Sequence, residues 1–510
     1  MILEDSAAAI APLSSRTFDV CVIGSGALGI AFGMEMAKAG KEVLMLEAGR
    51  DDISDESQDF YRYSNGERPH GDQGGTRYRV YGGSTERWGG QAMYFEKADF
   101  TPRHWMGSPG WPVDYEELAP YYQRAEKVMG LERPPYDELE EPFYRTARRL
   151  GMDPAALREG LAPFKLHYSA FSKTPRLREH HRAFLEQAPR LHIVKNSAAV
   201  RLETDGQGEG RGLHLRTGDR EHRIAARLYI LATGGIENAR FLLLQRDYFH
   251  LPELQPHRMI GRCFQDHPGA HVAEVHGPIA ALAQNVFRLQ RTDAVDLKAR
   301  LSWSEETRME QQRMAVSGTF LMDRHPSPYD TAPTGMDWLG GGFQTLKSLA
   351  RGLVYSPLHR TVLAVSAEDV RDLESRITLD PDAKDAWGLP RAKMHWKVAP
   401  QVAESILAYV DTVEQLIQTQ RLGRLRRFPC AKDAASLLPA LKDNAHHIGA
   451  TSMGRDLKEG VVDASLGVFG LRNLKVIGTS VLPTGSHANP TLTALALCYR
   501  LVDQCKSRSP

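Results

Sequence analysis

The segment Gly24-Ser25-Gly26-Ala27-Leu28-Gly29 constrains this chain more than any other. An apolar run, Phe18 to Ile23, precedes it, and Ile30 to Ala39 after it has helical character. Gly40-Lys41 ends that helix, and Val43 to Leu46 reads as a second buried strand. A strand–turn–helix–strand unit of this kind is parallel and right-handed. In it Gly24 permits the tight turn, Gly26 lets the backbone approach a pyrophosphate, and Gly29 lets the helix pack closely on the strand. The helix N-terminus after the turn offers N–H donors and a positive dipole end to phosphate, with Ala27 and Leu28 among the expected cofactor contacts. Glu47 follows Gly29 by 18 residues, near the spacing of about 20 expected for an acid on a ribose hydroxyl. A purely structural glycine turn is the alternative, but strand, helix and acid together favour a dinucleotide site. The acid would repel a 2′-phosphate. The motif by itself does not separate FAD from NAD.

The chain has 510 residues, too many for one simple core, so two or more domains or one large composite is expected. Lysine and arginine number 64 against 63 acidic residues, a net charge of +1 that argues against a nucleic-acid partner or a polybasic anchor. The five cysteines, Cys21, Cys263, Cys430, Cys498 and Cys505, are scattered and form no CxxC pair. Neither a disulfide framework nor a metal site is expected, and a reducing, cytoplasmic compartment fits. The N-terminus lacks the positive start of a secretory signal. The most membrane-like stretch, Val20 to Met34, is glycine-rich and too short to span, so no membrane span is expected.

The first 16 residues read as a loose arm, and Lys506 to Pro510 as a frayed tail. Residues 51–80 are polar and irregular. Asp114 to Met129 reads as a helix with Pro112 before it and Gly130 at its stop; residues 131–190 give no clear pattern. Between His192 and Leu231 the sequence turns to short alternating strands, Ala199–Glu203, Gly212–Arg216 and Ile224–Arg227. They feed a separate buried strand within Leu228 to Gly235, followed by a helix over Ile236 to Gln245. Residues 265–440 lack nucleotide-site patterns. Within them Pro326 to Gly342 reads as a long loop, Arg376–Leu379 and Lys393–Lys397 as strands, and Gln401–Gln418 as a helix. A last strand is expected over Leu474 to Ile477, before the helix Pro490 to Val502.

Two features favour FAD over NAD. A strand–meander–strand layout returns to Leu231-Ala-Thr-Gly-Gly235 roughly two hundred residues after the first turn, unlike a compact NAD domain. The C-terminal segment also holds a second cofactor-like turn. Asn489 is a good N-cap and Pro490 a favoured first helical residue, so a helix starts there with its positive end facing back. Aimed at a flavin, that end would stabilise negative charge on the ring; taken alone, it reads as a well-capped surface helix. Upstream, His446 and His447 are adjacent, so at most one faces a pocket. A histidine can take an alcohol proton near neutral pH, although in isolation a structural pair is the better explanation.

Six segments together resemble the glucose–methanol–choline (GMC) oxidoreductases. They are Val22-Ile-Gly-Ser-Gly-Ala-Leu-Gly29, Gly82-Gly-Ser-Thr-Glu-Arg-Trp-Gly-Gly90, Leu231-Ala-Thr-Gly-Gly-Ile-Glu-Asn238, Gly261-Arg-Cys-Phe-Gln-Asp-His-Pro268, His446-His-Ile-Gly449 and Asn489-Pro-Thr-Leu-Thr493. The resemblance is strongest over 17–130, 190–270 and 440–505, and loose over 271–440. It implies an α/β chain with an α+β substrate part. An FAD-binding domain of Rossmann type would span 17–270 and 441–505, with an insertion around 51–190 partly covering the cofactor. A substrate-binding domain on an antiparallel sheet would span 271–440. The family's catalytic histidine stands three residues before the glycine of its H-x-x-G motif, which lands on His446. Its partner lands on Asn489, with His487 a weaker alternative.

By the same resemblance Gly83, Ser84, Trp88, Gly89, Gly90, Gln91 and Ala92 lie along the flavin, and the backbone of Val200 meets the adenine. Ala232, Thr233, Gly234, Asn238, Gly478, Pro490 and Thr491 complete the expected cofactor contacts. Gly478 stands where many relatives carry an acid beside the ribityl chain. The tryptophan-glycine form of the second motif, with Trp111-Pro-Val-Asp-Tyr-Glu-Glu-Leu118, is similar to the branch of pyranose oxidases and bacterial sugar, glycoside and aminoglycoside oxidoreductases. Pyranose oxidases attach FAD through a histidine just before that tryptophan. Arg87 stands there, so FAD is expected to be non-covalent. The implied reaction oxidises an alcohol group on a sugar-like small molecule to a carbonyl. His446 takes the hydroxyl proton, hydride goes to flavin N5, and dioxygen or another acceptor takes the electrons. Oxidation of a non-sugar alcohol, or the lyase chemistry of some family members, is the alternative. The sequence is compatible with an oligomer.

Overall fold

The computed structural model describes residues 2–3, 7–71, 75–218, 220–323, 348–350, 353–356 and 359–507. The loop expected over Pro326 to Gly342 lies outside them. Two eight-stranded sheets and one three-stranded sheet carry the architecture. The first grows from the glycine turn. Thr17–Ile23 lies between Val43–Leu46 and Arg220–Leu231, parallel to both. Leu191–Val194 extends the sheet beyond Val43–Leu46, and Leu474–Val476 pairs in parallel with Arg220–Leu231. All four residues of Val43–Leu46 are buried, the pattern of a parallel strand covered on both faces. The Leu474–Val476 pairing brings the C-terminal segment back beside the first turn. The mixed α/β class expected from sequence is the one observed.

Several local expectations need correction. The arm is structured: Ile2–Leu3 pairs with Leu191–Val194, and Ala7–Ser14 is a helix that buries Ile10 and Leu13 against the first sheet. The meander's last strand and the buried strand are one element, Arg220–Leu231. Its first half pairs antiparallel with Gly210–Thr217 and its second half parallel with Thr17–Ile23. The expected helix over Asp114 to Met129 breaks into Tyr115–Leu118, a 3₁₀ turn at Ala119–Tyr121, and Tyr122–Val128. Pro120 lacks the N–H a continuous helix needs there.

The second sheet is antiparallel, in the order Arg424–Arg427, Gly269–His276, Arg360–Ala367, Val316–Asp323, Val295–Trp303, Phe164–Ser172 and Gln91–Ala92, with Gln290–Arg291 paired to Val295–Trp303 as the eighth strand. Phe164–Ser172 comes from the stretch with no legible pattern. Seven of its nine residues are buried, which erases the polar alternation a half-exposed strand shows. The helix Pro400–Thr419 covers one face, and the Tyr409 hydroxyl donates to the Leu301 carbonyl at 2.7 Å. The opposite face carries Gln91 and Phe171 into the cavity described next. In the third sheet, Arg376–Lys384 and Pro390–His395 form a hairpin whose tip places Asp385 and Trp387 at that cavity.

Candidate active site

A cavity of about 550 Å³ runs from the first glycine turn to His446 and Asn489, a volume in the range of cofactor sites. Gly24 has φ +107°, and a side chain there would stand 2.5 Å from the Ala232 carbonyl. A Cβ on Gly29 would lie 2.0 Å from the Gly24 carbonyl. Both glycines are therefore fixed by protein packing. Gly26 differs: a Cβ there meets nothing within 4 Å and would stand in the cavity. Gly26 also caps the helix Ala27–Lys38 with no side-chain bond to its N–H groups, which leaves them for an anion.

Glu47 closes this end. Its Oε2 accepts from the Ser25 amide at 3.1 Å and the Ser25 hydroxyl at 2.6 Å, and its Oε1 accepts from the Gly49 amide at 2.6 Å. The Ser25 hydroxyl accepts in turn from the Gly82 amide at 3.1 Å. The first turn, the second strand and the second glycine segment are thereby locked together. Burial raises the Glu47 carboxyl, while those hydrogen bonds pull against it.

Most residues expected at the cofactor line this cavity: Gly24, Gly26, Ala27, Leu28 and Glu47; Gly83, Ser84, Trp88, Gly89, Gly90 and Gln91; Val200, Ala232, Thr233 and Gly234; and Gly478, Pro490 and Thr491. Val200 sits at a bulge between Gly210–Thr217 and its own strand, with its carbonyl accepting from Gln245. Three expected residues stand behind the wall. Gly29 packs under the turn, and Ala92 is fully buried in the antiparallel sheet. Asn238 is a brace: its Oδ1 accepts from the Thr233 amide and hydroxyl, and its Nδ2 donates to the Ile477 carbonyl and Ser480 Oγ. It joins the two turns that face the cavity without lining it.

At the other end, the Asn489 side chain turns to His446, with Nδ2 3.1 Å from His446 Nε2. The expected helix begins at Thr491, one residue late, with the Pro490 carbonyl accepting from the Ala494 amide. His446 Nδ1 lies 2.7 Å from His267 Nδ1, and His267 Nε2 lies 3.0 Å from the Gly485 carbonyl. Burial, then the neighbouring His267, pushes His446 down to about 3, so its ring is neutral at ordinary pH. His447 points the other way, to the buried rings of His70 and Phe264. Asp266 organises both: its Oδ1 accepts from the amides of His267, Asn444 and His446, and its Oδ2 meets His70 Nε2 at 3.1 Å. The ligating atoms of His70, Asp266 and His447 lie within 4.8 Å of one another, but both Asp266 oxygens already hold protein hydrogen bonds.

Sequence reasoning missed several residues here. Ser25 sat inside the motif without a role. His267 and Asp266 belong to a segment quoted for resemblance alone; a histidine after an acid, next to proline, was the available signal. Tyr61, Arg77, Arg79 and Trp387 also line the cavity. Arg79 lies over the Phe60 and Trp387 rings, and Arg77 pairs with Glu237 at 2.9 Å. They converge from three distant segments with no shared motif.

The glycine cradle, the open helix end and the length of the cavity fit FAD. A family model described as GMC oxidoreductase matches residues 372–498, reaching into the stretch where the sequence resemblance was loose. The large subunit of fructose dehydrogenase from Gluconobacter japonicus is 23% identical over 95% of this chain and 97% of its own. The 6'''-hydroxyparomomycin C oxidase of Streptomyces lividus is 25% identical over 96% and 91%. A solved formate oxidase from Aspergillus oryzae, in a study of FAD modification, superposes with a TM-score of 0.60 at 15% identity, covering 97% of this chain and 98% of that one. Motifs, the family match over residues 372–498 and the relatives agree: the chain is similar to the GMC oxidoreductases and is an FAD-dependent alcohol oxidoreductase.

Proposed function

We propose that this enzyme oxidises an alcohol group on a sugar-like molecule, a glycoside or aminoglycoside, to a carbonyl. The observation that carries the reading is the His446–Asn489 pair at the end of the cavity, opposite the glycine turn. When bound, FAD supplies a two-electron acceptor for the alcohol carbon and passes the electrons to dioxygen or another acceptor. Gly26, Ala27 and Leu28 would hold its pyrophosphate, and Glu47 a ribose. Arg87, at the cavity wall, offers no group for a covalent bond, so the cofactor is held non-covalently.

The proton logic follows from the hydrogen bonds. The Gly485 carbonyl can only accept, so His267 Nε2 carries the proton facing it. Burial keeps His267 neutral, which leaves its Nδ1 a lone pair. That lone pair accepts from His446 Nδ1–H. Neutral His446 then has a bare Nε2, aimed at Asn489 and the cavity. A bare nitrogen beside an amide donor can take the hydroxyl proton while the amide holds the oxygen. The sugar preference draws on the fructose and aminoglycoside relatives. Anaerobic mixing with a panel of glycosides, aminoglycosides and simple aliphatic alcohols tests it. Sugar-type members should bleach the flavin absorbance; bleaching by the aliphatic alcohols alone would overturn the substrate class.

A further inference from the structure

The sheet face that brings Gln91 and Phe171 to the cavity carries, further along, two cations with no counter-charge among the described residues. Gln91 and Phe171 are register partners and both line the cavity. Side chains two residues apart share a face, so Ser169 and His167 continue the row from Phe171. Lys298 is the register partner of Ser169, and Arg300 that of His167. The row ends at the catalytic loop: the His167 and His487 rings lie 5.6 Å apart, and His487 precedes Asn489 by two residues.

The neighbouring charges are matched. Lys165 meets Asp137 at 3.1 Å, Arg308 meets Asp99 at 2.8 Å, Arg103 meets Glu368 at 2.6 Å, and Lys173 pairs with Asp296. Among the described residues Lys298 and Arg300 have no carboxylate partner, and Arg300 Nε is buried without a hydrogen bond. Burial pulls Arg300 down to about 10; burial and the Arg300 charge together pull Lys298 down to about 8. The Arg300 charge also bears on His446 and His167, which sets it close to both. An unpaired, partly desolvated cation pair is costly to keep. It is the arrangement that a carboxylate or phosphate completes, through a bidentate guanidinium and an ammonium.

Resting on the sugar-alcohol reading above, we infer that the substrate carries an anionic group, carboxylate or phosphate, seated between Lys298 and Arg300. This narrows that reading to its glycoside branch, since polycationic aminoglycosides would meet like charge there.

The test measures kcat/KM by flavin bleaching, and binding by calorimetry to the flavin-loaded His446→Ala protein. The sugar probes are phenyl β-glucuronide and phenyl β-glucoside 6-phosphate, each against phenyl β-glucoside. The non-sugar pair is 4-(hydroxymethyl)benzoate against benzyl alcohol. An anionic member should be favoured over its neutral partner by about tenfold or more. Arg300→Gln and Lys298→Gln should each erase most of that preference, read as the ratio of the anionic to the neutral member in the same variant. The glucuronide and the phosphate separate the two anion types. A preference confined to the benzoate pair upholds the anion site while overturning the sugar class. Anionic and neutral members handled alike in every pair, or a preference that survives both substitutions, overturns the anion site.

Discussion

At the scale of single residues, the proposed chemistry rests on which nitrogen of His446 is bare. In the proposed tautomer assignment His267 fixes that by accepting from His446 Nδ1 while it donates to the Gly485 carbonyl, which makes it a positioning residue. His267→Phe removes the acceptor and frees the other tautomer. The expected result is a fall in kcat of about tenfold to a hundredfold with KM little changed, together with an altered pH profile. His267→Gln keeps an acceptor and a donor in place and should restore much of the rate. Equal loss in Phe and Gln variants would count against the positioning role. The surrounding backbone is constrained: Cys263, Ala445, Ala450 and Ser486 are non-glycine residues with positive φ, a concentration of strained conformations in the loops that carry His267, His446 and His487.

At the scale of elements, what the sequence disclosed depended on range. The glycine turn was legible because its strand, glycines and helix are consecutive in the sequence, and Glu47 completes it nearby. His446 and Asn489 were legible only through resemblance, because 43 residues separate them. Phe164–Ser172 was illegible because it is buried on both faces and pairs with a strand 123 residues or more away. The Asn489 side chain was expected to cap its helix; a tertiary contact with His446 won instead. Gly29→Ala tests the turn directly. Its Cβ would collide with the Gly24 carbonyl, so the variant should purify with most of its flavin lost, whereas acid precipitation of the wild type should release its flavin freely. A fully loaded Gly29→Ala protein, or wild-type flavin that stays with the pellet, would contradict the packing argument or the non-covalent cofactor respectively.

At the scale of the whole molecule, the two sheets enclose ionisable groups that set a pH response. His447 and His487 are buried and pushed from 6.5 down to about 3, first by burial. Below 6.5 the unfolded chain binds protons that the folded chain refuses, so stability is lost as pH falls from about 6.5 toward 3. Two such histidines cost about 3 kcal/mol between pH 7.5 and 5.5, as an upper figure from about 1.4 kcal/mol per unit each. The flavin-loaded protein should therefore melt at a lower temperature at pH 5.5 than at pH 7.5, and His447→Gln should flatten that dependence. A melting temperature that is level or rises on acidification would contradict it. Among the described residues no helix is long and apolar enough to cross a membrane.

The central claim is that a bare nitrogen of His446 takes the substrate's hydroxyl proton at the end of the FAD cavity. Its most direct test is the anaerobic stopped-flow rate of flavin bleaching in His446→Ala, with the best sugar substrate at saturation and the flavin content matched to wild type. The account predicts a rate lower by about a hundredfold or more. A rate equal to wild type would show that the proton goes elsewhere.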